Sequence, residues 1–136
     1  MSETRLSTLK KILAFAALVE CGTGLALMID PAIVARLLLG DELSDVGAVL
    51  GRCFGVALLA LGLACSPGRE RTGGGSQASR GMLTYNVLIA LYLAYLGTVG
   101  HMAALLLWPA VLLHAVVALL LVWTWSGERW TGPAPR

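Results

Sequence analysis

Glu20 stands in the middle of an apolar run from Ile12 to Ile29, inside the stretch Ala17-Leu18-Val19-Glu20-Cys21-Gly22-Thr23-Gly24. At about 1.5 Å of rise per residue it lies about 14 Å beyond Lys11, close to the midplane of a hydrocarbon layer about 30 Å thick. An ionisable group at that depth costs free energy to bury, and a partner or a function must offset the cost. Three side chains on later apolar runs are candidate partners: Arg52, Tyr92 and His114. Tyr92 falls about 15 Å and His114 about 16 Å into their runs, whereas Arg52 lies about 9 Å from the end of its own. Three kinds of chemistry are open to this intramembrane polar cluster. An ion pair between Glu20 and Arg52, or a hydrogen bond between Glu20 and His114, would fix helix register. A protonatable Glu20 would let proton release and substrate binding compete. The polar groups together would line a pocket for a quinone or another lipid-like molecule.

Other site chemistries find little in the pattern. No catalytic residue is assigned, and enzymatic activity of the chain on its own is not expected. Haem would need two histidines on facing positions, but His101 falls near a turn and His114 is deep. Zinc would need close Cys or His spacing, which is absent, so no metal site is assigned. Cys21, Cys53 and Cys65 form no C-x-x-C pair and read as small apolar fillers.

The elements that must position these side chains are membrane spans. Of the 136 residues, 57% are hydrophobic and 13% charged, against about 25% charged in an ordinary soluble domain. The expected architecture is all-α, a single polytopic domain of four transmembrane helices in an antiparallel bundle, with a short interfacial helix after the first. The first span runs from about Lys11 to Ile29. Leu18-Val19-Glu20-Cys21 superficially matches a lipoprotein cleavage box, but Glu20 occupies the position that needs a small residue, so an uncleaved span is expected. Asp30-Pro31 makes a helix start, and Gly40 a stop, for an interfacial helix over 31–39.

Val46 to Cys65 reads as the second span. Gly47, Gly51 and Gly55 recur in it every four residues, a spacing that lets another helix backbone approach closely. Ser66 to Gly81, with Gly73-Gly74-Gly75 and three arginines, reads as a flexible loop. Met82 to Val99 is the third span, with Tyr85, Leu88, Tyr92 and Tyr95 along one face, a stripe that fits helix packing better than a ligand box. A short turn then leads into the fourth span, Ala103 to Trp125, where Pro109 kinks or restarts the helix and Trp123 and Trp125 take the interfacial belt.

Arg5, Lys10, Lys11, Arg69, Arg71, Arg80, Arg129 and Arg136 fall on the side shared by both termini and the long loop. That bias places both termini in the cytoplasm. The basic residues lack aromatic interleaving, so nucleic acid is not an expected partner. Arg outnumbers Lys eight to two amid abundant Ala, Gly and Leu, which suggests a GC-rich bacterial genome as the source. The expected partners are the lipid bilayer and either copies of the same chain or a larger membrane complex.

Two resemblances add to this reading. Gly51-Arg52-Cys53-Phe54-Gly55-Val56-Ala57-Leu58-Leu59-Ala60-Leu61-Gly62, with the 31–40 segment and four spans, resembles the DoxX-like group of small bacterial membrane proteins. The resemblance implies a four-helix inner-membrane protein acting as an accessory or subunit of a membrane assembly, since some members serve quinone-linked oxidoreductases. It carries over no catalytic residue and no bound cofactor. Residues 17–24 are similar to the first helix of small multidrug resistance exporters, in which a Glu shortly before a Gly-Thr couples proton entry to efflux. That local likeness implies the alternative of a small proton-coupled exporter acting through Glu20.

Overall fold

The computed structural model describes residues 3–67, 75–102 and 104–126 of the chain. Five helices follow one another: α1 (Glu3–Ile29), α2 (Pro31–Leu39), α3 (Asp45–Cys65), α4 (Gly75–Thr98) and α5 (Leu107–Ser126). Among the described residues there is no strand. Four segments are long and apolar enough to cross a membrane: Glu3–Ile29, Asp45–Cys65, Gln77–Thr98 and Leu107–Trp125. Helices satisfy their own backbone polar groups, which is what a chain of this composition needs in lipid. The protein has the make-up of a multi-pass membrane protein built as a helical bundle. Gly73, Gly74, Arg69 and Arg71 of the long loop lie outside the described residues, as does the tail with Arg129, Pro133, Pro135 and Arg136.

Capping sets the first boundaries. Asp30 separates α1 from α2, and its Oδ1 accepts from the amides of Ala32 and Ile33, both at 3.1 Å, with Pro31 at the first helical position. α2 ends on Gly40, whose φ of 80° is left-handed and whose N–H donates to Ala35 O and Arg36 O. The next orphan carbonyl of α2, Leu37 O, accepts from Leu106 N at 2.9 Å, just before α5 begins. Ser44 caps α3 by accepting from Gly47 N at 3.1 Å.

α1 packs most closely on α3, through small residues. A Cβ placed on Gly55 would stand 2.6 Å from Gly24 O, and one on Gly62 would stand 2.7 Å from Ala17 O. Backbone meets backbone at both points, with no room for a side chain. Gly51 faces Pro31 instead, at 2.8 Å from its Cβ, and Gly47 lies over Leu43 and Ser44 of the preceding link. The three glycines spaced four apart therefore serve three different neighbours, and Gly55 alone among them meets another spanning helix.

α4 pairs with α5, and at Gly97 an added Cβ would meet the side chains of Leu107 and Trp108. The main apolar core joins Ile12, Leu13 and Ala16 of α1 to Cys65, Met82, Val117 and Leu121. This region also explains where α4 begins. The helix starts at Gly75 and not at Met82, so residues expected in the loop are helical. Three contacts hold the added turns: Cys65 Sγ donates to Ala78 O at 3.7 Å, Ala78 packs on the core, and Arg80 lies over the Trp125 ring. At the other end of the hairpin α5 starts at Leu107 and not at Ala103, with Pro109 in its first turn, where a backbone N–H would have no intrahelical partner.

Candidate functional site

Glu20, Asn86 and His114 are buried polar residues of three different helices, the first two exposing 2% and 1% of their surface. The arrangement is a chain of contacts. Asn86 Nδ2 donates to Met82 O at 2.8 Å, one turn back on α4. Its Oδ1 is thereby turned to α5, where it lies 2.9 Å from His114 Nδ1. An amide oxygen only accepts, so Nδ1 carries the hydrogen of that contact. Glu20 Oε1 lies on the other side of the same nitrogen at 3.9 Å, beyond hydrogen-bond length and within ion-pair reach. Tyr85 completes the group: its phenol neighbours Glu20, and its ring meets His114 edge-on at 5.8 Å between centroids. Among the described residues no buried side-chain N or O atom lacks a hydrogen-bond partner.

Of the four residues picked out by type and depth, Glu20 and His114 come together, while Arg52 and Tyr92 do not join them. Tyr92 is 58% exposed on the outer face of α4. Its place is taken by Tyr85, and the reason is arithmetic. α4 starts seven residues before Met82, at Gly75, so the residue about 15 Å along the helix is Tyr85, two turns before Tyr92. Arg52 is exposed on α3. It follows Gly51, which faces Pro31, and one residue of helix turns it by about 100° off that seam. Among the described residues Arg52 has no carboxylate partner.

Asn86 had a readable signal that depth alone did not supply. Among the described residues of α4, Met82, Asn86 and Leu93 are buried, at spacings of four and seven that put them on one stripe. A polar amide in phase with the buried stripe of a spanning helix must find a partner on another helix.

Chemically the cluster offers one carboxylic acid, one imidazole and one phenol within direct reach of each other, walled by α1, α4 and α5. It sets a carboxyl oxygen and an imidazole nitrogen 3.9 Å apart, within ion-pair reach, inside the helical bundle. Among the described residues no three His, Cys, Asp or Glu side chains gather as metal ligands. Cys21 is half-buried with Sγ directed at Leu59 O, Cys53 is exposed and Cys65 is in the core. The chain matches no protein-family model, no curated protein and no solved structure.

Proposed function

We propose that this chain is a multi-pass protein of a bacterial inner membrane that serves as an accessory or subunit of a membrane assembly, as the DoxX-like proteins it resembles do. In this reading the four spans form an antiparallel bundle with both termini cytoplasmic, and α2 lies along the opposite interface. The basic residues Arg5, Lys10, Lys11 and Arg80, against Arg36 on α2, support that orientation. A quinone is the class of small molecule that such an assembly would handle.

The observation that carries the reading is Arg52. A guanidinium exposed on a spanning helix, beside exposed Val49, Phe54 and Val56, is costly in lipid unless it reaches the interface or an acid on another protein. Inside the chain the deep acid, Glu20, lies about two turns further along the α1–α3 seam and already faces Tyr85 and His114. A partner helix carrying a carboxylate matches this face of α3. Purification in mild detergent followed by mass spectrometry should recover the chain with a larger membrane protein, and Arg52→Leu should lose that protein. Recovery of the chain only with copies of itself would reject the subunit reading.

The pairing of Glu20 with His114 favours a second reading, a small proton-coupled exporter. Two titratable groups 3.9 Å apart within spanning helices supply the intramembrane proton site that such coupling uses. Glu20→Gln should then abolish proton-linked efflux while the fold persists; unchanged efflux rules this out.

A further inference from the structure

One end of the bundle gathers cations in a way the polar cluster does not use. Arg5, in the first turns of α1, lies over the Trp123 ring at 5.4 Å from its centroid. Arg80, in the early turns of α4, lies over the Trp125 ring at 5.2 Å. Two helices thus each bring a guanidinium onto an indole in the last turns of α5. Lys10 and Lys11 are exposed about one to two turns further along α1. Because Cα–Cβ bonds tilt toward a helix N-terminus, both lysines lean back toward the Arg5 end. Among the described residues Glu3 is the acid that shares this end, and neither arginine has a carboxylate partner.

Stacking occupies the flat face of a guanidinium and leaves the N–H groups around its edge free to donate. An arginine already stacked on a ring gives up less side-chain freedom when it takes a bidentate acceptor, and indole rings favour the headgroup level of a bilayer. The acceptor that matches planar forks at that level is the phosphodiester of an anionic phospholipid. We propose that this end of the bundle is a docking surface for anionic phospholipid headgroups, with Arg5 and Arg80, held by Trp123 and Trp125, binding the phosphates and Lys10 and Lys11 adding attraction. The opposite end differs in kind. Its Arg36 is paired with Glu42 at 3.0 Å, and Asp30, Asp41 and Asp45 share that end. The proposal requires that the spans cross a bilayer. It is independent of the partner protein and of which leaflet this end faces.

The test is titration of the full-length protein in detergent micelles with phosphatidylglycerol or phosphatidylcholine of identical acyl chains, bound lipid being counted by native mass spectrometry. Phosphatidylglycerol should be retained in preference to phosphatidylcholine. Arg5→Gln and Arg80→Gln should each lower its affinity about fivefold, and the pair about 25-fold. Arg5→Lys, which keeps the charge but loses the stacked fork, should give a smaller, measurable loss. Arg36→Gln, at the other end, should change nothing. If the paired arginine variant does not fold, Lys10→Gln with Lys11→Gln, at exposed positions without ring contacts, should still weaken binding severalfold. Equal retention of the two lipids, or undiminished phosphatidylglycerol binding in either double variant, would overturn the proposal.

Discussion

His114 Nδ1 donates to Asn86 Oδ1 at 2.9 Å and has Glu20 Oε1 only within ion-pair reach at 3.9 Å, and this inequality decides how the cluster responds to mutation. Asn86→Leu removes the nearer acceptor and strands a buried donor, which costs about 1–3 kcal/mol. Thermal unfolding in detergent should register that loss. A double-mutant cycle separates the possible partners of Glu20. Substitutions at Glu20 and His114 should be non-additive by about 0.5–3 kcal/mol, whereas Glu20 and Arg52 should add to within about 0.5 kcal/mol, because Arg52 shares no contact with the cluster. Additivity for the first pair would remove His114 from the account. At this scale the sequence made half of the site legible. Glu20 and His114 were visible because an acid and an imidazole at similar depth in apolar runs have few alternatives. Tyr85 was hidden by the position of one helix end, two turns away from where composition placed it, whereas Asn86 carried its signal in its phase with Met82 and Leu93.

The same distinction holds between elements. Asp30-Pro31 and Gly40 mark their boundaries by local chemistry, a side-chain cap and a left-handed stop, so the limits of α2 can be read without tertiary information. The start of α4 depends on Cys65, Trp125 and the core beneath Ala78, contacts distant in sequence that outweigh a Gly- and Ser-rich composition. Glycine spacing in α3 was legible as a close-packing signal, but which glycine meets a spanning helix was not, since Gly47, Gly51 and Gly55 look alike in sequence. The structure separates them sharply. Gly55→Ala places a methyl against Gly24 O and should cost about 1–3 kcal/mol as α1 and α3 move apart. Gly22→Ala, with nothing within 4 Å, should instead stabilise the protein by about 0.5–1 kcal/mol through helix propensity. Unfolding temperatures of the two variants should therefore move in opposite directions, and a matched shift would show that the helix contact is looser than described.

At the scale of the whole molecule, charge is sorted along the bundle. Arg5, Lys10, Lys11 and Arg80 gather at the end where α1 and α4 begin, and Asp30, Asp41, Glu42 and Asp45 at the other. In the proposed orientation, with both termini cytoplasmic, a cysteine introduced at His101, exposed at the turn between α4 and α5, should react with an impermeant maleimide in intact cells once the native cysteines are replaced. A cysteine at Ser7 should react only after the membrane is opened. The reverse pattern would invert the topology while leaving the helix packing intact.

The hydrogen bond from Leu106 N to Leu37 O joins the second helix to residues that leave the ribosome much later. Until that amide arrives, the exposed end of α2 has a carbonyl with no protein donor, and water or lipid headgroups must satisfy it. Pro31 against Gly51 already seats the start of α2 once α3 is made. The far end of α2 gains its donor only with the final hairpin, so that latch is the last of its contacts to close.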